Sequence, residues 1–223
     1  MPIGLNLAPQ HRVYAAFAIY SFAMGNVFPR LPDLKLAMAV QEGALGLGLI
    51  GAPVGTLISL TFAAPLLEKI GFRRAILTLI PLVALSYAIA VHAPGPLALF
   101  LLLIPAGLMI GCTEIIVNVE ADRTEALIGR RIMNRAHSFW SIGFFAAGLF
   151  GASMAHLGVS PQLHLGGVVV VAGLGTALLL GGFVAAPKRA AESSEVAPRF
   201  ARPTGPILIL VAPFDPRTFH HCE

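Results

Sequence analysis

The stretch Pro96-Leu-Ala-Leu-Phe-Leu-Leu-Leu-Ile-Pro-Ala-Gly-Leu-Met-Ile-Gly-Cys-Thr-Glu-Ile-Ile-Val-Asn-Val119 decides the fold. It carries a single charged residue, Glu114, and exceeds the roughly 20 apolar residues that an α-helix needs to cross the hydrocarbon core of a bilayer. A lipid-exposed segment must satisfy its backbone polar groups internally, so a run of this kind is predicted to form a membrane-spanning helix.

The composition of the whole chain agrees with this stretch. Its 223 residues are 57% hydrophobic and 12% charged, with a mean hydropathy of +0.81. Soluble domains usually carry about 25% charged residues, so this composition excludes a soluble globular protein. The length allows about six or seven crossings with short connections and leaves no room for a separate soluble domain.

Charges, prolines and glycines divide the chain into six apolar runs that are each long enough to span. The expected spans are 13–29, 44–67, 74–92, 96–119, 137–157 and 164–186. No ten-residue alternation indicates a barrel. The first run is no signal peptide, because no mature soluble domain follows it. The sequence therefore predicts an all-α membrane protein, a six-transmembrane-helix bundle over residues 1–186.

The basic residues predict the orientation. With the amino terminus in the cytoplasm, all of the 15 lysines and arginines except Arg30 and Lys35 lie on the cytoplasmic side. The positive-inside rule therefore predicts both ends in the cytoplasm. It also explains the sequence pI of about 9.5 without a nucleic-acid partner.

The carboxy-terminal part differs in composition from the six apolar runs. Residues 187–205, charged and rich in Ala, Ser and Pro, are interpreted as a cytoplasmic linker. In 206–223, the apolar hexamer Ile207–Ala212 ends at Pro213. Two interpretations stay open for this segment: a seventh helix that is broken off, or a disordered tail with an accidental hydrophobic hexamer.

Small residues recur at spacings that suit close helix packing. Gly51 and Gly55 lie four apart in the second run, and Gly107 and Gly111 lie four apart in the fourth. Such spacing lets two helix backbones approach each other. Pro53, and Pro105 in the fourth run, are expected to kink their helices, because each removes a helical hydrogen bond.

The fourth run holds polar and charged residues whose roles need to be explained. A carboxylate at membrane depth is costly, so Glu114 should face the bundle interior or an aqueous cavity. Asn118 shares its helical face, and Asp122 extends the stripe. Glu114 is interpreted as a proton-coupling or substrate-binding group or as the partner of a loop arginine. Glu120 and Asp122 are expected to be interfacial partners of nearby arginines.

The loop Ala64-Pro-Leu-Leu-Glu-Lys-Ile-Gly-Phe-Arg-Arg74 carries a family resemblance. It resembles the cytoplasmic motif of the major facilitator superfamily, Gly-x-x-x-Asp-(Arg/Lys)-x-Gly-x-(Arg/Lys)-(Arg/Lys). The matching residues are Lys69, Gly71, Arg73 and Arg74, while Glu68 stands at the aspartate position and Ala64 at the first glycine. Such charges beside a helix terminus can form a cluster in one conformation and open it in another. Ordinary positive-inside anchoring is the competing interpretation.

A second resemblance runs from Gly107 to Gly151, where a glycine-rich helix leads through a basic loop into His137-x-x-Trp140-Ser141. Some superfamily members that resemble sugar permeases have a similar arrangement. His137 is a candidate proton-exchanging group or a hydrogen-bonded loop histidine. Trp140 is a candidate cavity residue or an interfacial anchor.

The first run ends in polar residues. Asn26 is a candidate substrate contact, because polar groups on the first and fourth helices often line transporter cavities. Arg30, Asp33 and Lys35 are interpreted as a solvated external rim.

The resemblance implies a secondary carrier of the bacterial inner membrane that moves a small, possibly sugar-like, organic solute by alternating access, coupled to a proton, to another ion or to none. The superfamily works with two six-helix halves, so the chain is expected to pair with a second half or with itself, or to be a truncated, inactive half. A six-helix scaffold is the other alternative. Partners are the solute and membrane lipid. No enzyme, metal-site or cofactor motif is present, and Cys112 and Cys222 suit neither a disulfide framework nor a zinc site.

Overall fold

The computed structural model describes residues 5–188, and the predicted linker and tail lie outside this range except for Pro187 and Lys188. Across the described residues the chain forms nine α-helices, one short 3-10 helix and no strand. The helices are α1 (Pro9–Gly25), the 3-10 helix Phe28–Arg30, α2 (Leu31–Met38), α3 (Glu42–Leu49), α4 (Gly51–Phe62), α5 (Ala64–Ile70), α6 (Phe72–Ala90), α7 (Pro96–Ile128), α8 (Met133–His156) and α9 (Pro161–Leu180). The predicted all-α class is confirmed.

Five stretches are long and apolar enough to cross a membrane within the described part of the chain. They are Glu42–Phe62, which joins α3 and α4, and the helices Phe72–Ala90, Pro96–Ile128, Met133–His156 and Pro161–Leu180. Helix α1, at 17 residues, is shorter than these five. The chain is thus a multi-pass helical membrane protein.

Two helix boundaries have local causes. The second run breaks at Ile50, between α3 and α4. Pro53 has no N–H to donate to the Leu49 carbonyl and its ring crowds that carbonyl, which explains a break one turn before it. Helix α7 continues through Pro105 and nine residues past Val119, the end of the apolar run. It ends at Gly129, whose φ of 65° gives the left-handed cap that favours glycine.

The predicted glycine packing is confirmed between α4 and α7. A Cβ on Gly55 would overlap the backbone carbonyl of Ile104, and one on Gly107 would overlap that of Ala52. Gly51 and Gly111 make equally close approaches to Phe100 and to Ser59. The Thr56 hydroxyl donates to the Gly107 carbonyl at 3.2 Å. The two glycine pairs therefore face each other and bring these backbones into direct contact.

Helix α1 packs against α8 through a second set of small residues. Gly143 lies against the carbonyl of Ala18 and the hydroxyl of Ser21. Nearby, Tyr14 stacks on Phe139 with ring centroids 4.9 Å apart. Helix α1 also contacts α6, α7 and α9, so its side chains meet groups from most of the bundle.

Short connections make successive long helices run in alternating directions. One end of the bundle, named here the basic end, holds α5, the turn 129–132 and the end of α9. The other, named the opposite end, holds the end of α1, α2, the turn 91–95 and the turn 157–160. The polar residues considered below fall into three layers: mid-bundle, opposite end and basic end.

Candidate functional site

The mid-bundle layer centres on Glu114, near the middle of α7. The Asn118 amide nitrogen donates to the Glu114 Oε1 atom at 3.1 Å and to the Glu114 backbone carbonyl at 2.9 Å. Both residues are half-buried. With Gly107 and Gly111 they repeat at spacings of four, three and four, so all four share one side of the helix. The shared face predicted for Glu114 and Asn118 is confirmed.

A tyrosine from another helix approaches this carboxylate. Tyr20 of α1 is fully buried and interacts with the Glu114 side chain, and Tyr87 of α6 lies within electrostatic reach of Tyr20. Among the described residues no lysine or arginine forms an ion pair with Glu114. The structure therefore surrounds this carboxylate with an amide and a hydroxyl and gives it no loop arginine as a partner.

Helix α8 carries the His137 and Trp140 candidates at a different place. His137 is exposed and meets the Phe17 ring edge-on, with ring centroids 5.2 Å apart. Trp140 is half-buried and stacks on Phe144, also at 5.2 Å. Neither is bonded to Glu114 or Asn118 within the described range. The structure brings together Glu114 and Asn118, but it does not join the α8 candidates to them.

The sequence indicates that Arg30 is part of a solvated rim, and this prediction is wrong, because Arg30 is buried at the opposite end. It is 1% exposed. Its guanidinium donates to Asp33 at 3.1 Å, to His164 Nδ1 at 3.1 Å and to the backbone carbonyl of Val159. The charge is buried because the α8–α9 turn folds over the end of α1 and supplies acceptors. Lys35, by contrast, forms an ion pair with Glu42 at the surface.

Asn26 belongs to the same buried group. It is 0% exposed, and its amide donates to the Phe22 carbonyl at 2.7 Å while its Oδ1 lies 3.0 Å from His164 Nε2. Arg30 can only donate, so Nδ1 of His164 must accept, and a neutral ring then carries its proton on Nε2 and donates to Asn26. In this structure Asn26 therefore helps to orient His164.

The motif loop contributes a charge pair at the basic end. Glu68 lies 3.5 Å from Arg123 of α7, and the Arg123 guanidinium stacks over the Phe72 ring at 4.4 Å. Arg73 donates to the Gly181 carbonyl at the end of α9, at 2.8 Å. Gly71 has a φ of 85°, which a side chain would disfavour. Lys69 and Arg74 are exposed. The loop motif thus contacts both α7 and α9.

Glu120 was expected to be an interfacial partner of nearby arginines. It lies inside the basic end instead of at the interface, and Arg123 is within electrostatic reach of it. Glu120 is 3% exposed and its Oε1 accepts from the Ala186 backbone N–H at 2.8 Å. Because α7 continues past Val119, Glu120 stays on a packed helical face. The segment after α9 therefore lies against α7.

Metal-ligating residues do not cluster in residues 5–188. No group of three or more His, Cys, Asp or Glu residues there is placed to hold a metal ion.

Comparison with known proteins gives two curated relatives. An uncharacterised MFS-type transporter of Yersinia pestis is 27% identical over 165 residues, which is 74% of this chain and 41% of the relative. The chain is thus similar to a protein named as an MFS-type transporter. An uncharacterised transporter of Sinorhizobium fredii is 29% identical over 180 residues, 78% of this chain and 47% of the relative. The chain spans less than half the length of the curated relatives it matches. No family model matches it, and no solved structure does.

Proposed function

We propose that this chain is a secondary carrier of the bacterial inner membrane that moves a small organic solute by alternating access. Its bundle crosses the membrane six times, with α1 as the first crossing and both ends in the cytoplasm. The support for transport is the two relatives named as transporters and the apolar helices. The support for orientation is the basic end, where Lys69, Arg73 and Arg74 follow the positive-inside rule.

The observation that carries the coupling mechanism is the environment of Glu114. A carboxylate at mid-bundle, bonded to Asn118 and beside Tyr20, has no cation within the described residues to neutralise it. Protonation removes the cost of holding its charge at membrane depth, whereas a solute that donates hydrogen bonds stabilises the charged form. Glu114 can therefore hold either a proton or a contact with the solute. This exchange couples the flux of protons to the flux of the solute.

Alternating access in this family fold needs a second body. We propose that the chain works against a second six-helix half or a second copy of itself, with the mid-bundle layer facing the shared cavity. His137, exposed on α8, and Trp140 beside it are then candidate contacts for a sugar-like or other small organic solute. Asn26 acts indirectly, because it is buried against His164.

The test is uptake of radiolabelled sugars and small organic solutes by vesicles that hold the purified full chain. We expect flux driven by an inward proton gradient, and a loss of at least about tenfold in Glu114→Gln, since a barrier change of about 1.4 kcal/mol is tenfold in rate. The matched control is Glu42→Gln, which makes the same charge change at an exposed site of the opposite end and should transport normally.

Three results would contradict the proposal. Flux that ignores the gradient would remove proton coupling, and flux that survives Glu114→Gln would remove Glu114 from the mechanism. A folded protein without flux, alone and with a co-expressed second copy, would favour an inactive half or a membrane scaffold. Folding is checked by helical circular dichroism and gel filtration.

A further inference from the structure

A cavity of about 260 Å³ lies at the opposite end of the bundle. Its walls come from the end of α1, from α2, from both sides of the α3–α4 break, and from α6 and α7. Val27 and Leu34 line one side, Ala52 and Leu103 the other, and Ala90 lies beside Tyr87. Leu49, Ala52 and Pro53, on either side of Ile50, are the lining residues from the second crossing.

The lining has almost no polar chemistry. Apart from the Tyr87 hydroxyl, every lining side chain is a hydrocarbon. A trapped water needs two to four polar partners, and a cavity with one hydroxyl does not supply them. A sugar or a charged solute would leave most of its polar groups without hydrogen bonds. The lining therefore selects apolar molecules, unlike the layer around Glu114.

Tyr87 supplies one polar contact. The residue is 5% exposed, and none of the hydrogen bonds among the described residues involves its hydroxyl. A tyrosine hydroxyl can both donate and accept, so a ligand that brings one hydrogen-bonding group can bond it. Ligand pockets in proteins combine apolar walls with a few such groups that fix orientation.

The size narrows the ligand further. A dry cavity of about 150 Å³ lined by aliphatic and aromatic side chains holds benzene. The larger volume here leaves room for a benzene ring with short alkyl substituents, and the Tyr87 hydroxyl can bond one hydroxyl on that ring. We propose that this cavity is a binding site for a small alkyl-substituted phenol or a similarly shaped, monohydroxylated apolar molecule. The site is separate from Glu114 and does not depend on transport.

The test is photolabelling of the full chain in lipid nanodiscs with a diazirine-bearing alkylphenol, followed by mass spectrometry of the labelled residues. We expect adducts on the cavity lining that saturate and that excess unlabelled alkylphenol removes. Ala90→Leu should lower cavity labelling at least tenfold by filling the space, while Tyr87→Phe should lower it severalfold. Ala152→Leu, an equal change on the exposed face of α8, should leave it unchanged.

Other results would overturn the proposal. The first is label that spreads over the lipid-facing helices without saturation. The second is cavity labelling that persists in Ala90→Leu. The third is labelling by a hydroxyl-free alkylbenzene that saturates in the same way in wild type and in Tyr87→Phe. If Ala90→Leu fails to fold, Ala52→Val narrows the opposite wall and must lower labelling in the same way. Success or failure here leaves the solute uptake test unaffected, because that test depends on Glu114.

Discussion

Two arginines, one at each end of the bundle, are buried in different ways. Arg30 at the opposite end is 1% exposed and bonded to a carboxylate, a histidine and a backbone carbonyl. Arg123 at the basic end is 5% exposed, but its carboxylate contact with Glu68 is 3.5 Å long and Glu68 is 46% exposed. Both arginines are thus buried beside a partly exposed carboxylate. They differ in the distance to it, 3.1 Å to Asp33 and 3.5 Å to Glu68, and in the histidine and backbone carbonyl that also bond Arg30.

This difference assigns different mechanical roles to the two ends. Moving Arg30 would leave a buried charge without partners, which is strongly unfavourable. Releasing Glu68 from Arg123 returns a half-exposed carboxylate to water and leaves the Arg123 guanidinium over the Phe72 ring, so it should cost less than moving Arg30. We therefore expect the opposite end to stay fixed and the basic end to rearrange when the proposed carrier changes conformation.

The largest effect should follow from breaking the Arg30 group. Arg30→Met should lower the free energy of unfolding by about 2–5 kcal/mol, since it leaves the His164 Nδ1 atom and the Val159 carbonyl without a donor at about 1–3 kcal/mol each, while the partly exposed Asp33 can turn to water. SDS titration of the full chain, followed by circular dichroism, measures this. Arg30→Lys keeps the charge but cannot bond Asp33, His164 and Val159 together. Its free energy of unfolding should therefore lie between those of wild type and Arg30→Met. A loss below about 1 kcal/mol for Arg30→Met would mean that the opposite end is not held by this group.

A smaller effect should come from His164, which joins Arg30 to Asn26. His164→Leu leaves an Arg30 donor and the Asn26 oxygen without partners, so a loss of about 1–3 kcal/mol is expected. The same SDS titration measures it. His164→Gln is the matched variant, because its amide can accept from Arg30 and donate to Asn26. Equal losses in the two variants would show that ring packing against Phe150, rather than hydrogen bonding, makes His164 important.

The sequence predicted the features that depend on local spacing. Five of the six apolar runs overlap a helical stretch that is long and apolar enough to cross a membrane, because length and hydropathy are properties of consecutive residues. The glycine pairs at 51 and 55 and at 107 and 111 were predicted to permit close approach, and they do so against each other. The shared face of Glu114 and Asn118 follows from helical periodicity alone.

What the sequence did not predict depends on contacts between distant segments. The sequence indicates a rim position for Arg30, because its neighbours along the chain are polar. Two of its three acceptors, however, are more than a hundred residues away: the Val159 carbonyl in the turn before α9 and His164 in the first turn of α9. His164 was missed for the same reason, although a histidine one turn inside an apolar run, just after the polar Ser160 cap, was a usable signal. Glu68 was assigned to the loop motif without its partner on α7.

The smallest predicted effect on stability tests the basic end. Glu68→Gln removes the carboxylate charge but keeps an oxygen that can accept from Arg123, and it leaves the Phe72 ring under the guanidinium, so the loss of unfolding free energy should be below about 1 kcal/mol. Added salt should lower the stability of the wild type towards that of the variant, because the Glu68 side of the pair is half-exposed and salt screens exposed charges. The control Arg74→Gln changes an exposed neighbouring charge and should have no salt-dependent effect of this size.

Conformation should respond to Glu68→Gln more than stability does. If the pair with Arg123 closes the basic end, the variant should raise the rate at which a thiol reagent modifies a cysteine placed at Lys69, relative to the same cysteine with Glu68 intact. Cysteines at the opposite end, for example at Ser160, should react at unchanged rates because the Arg30 group is untouched. A uniform increase at both ends would indicate general loosening and would remove the contrast between a fixed and a movable end.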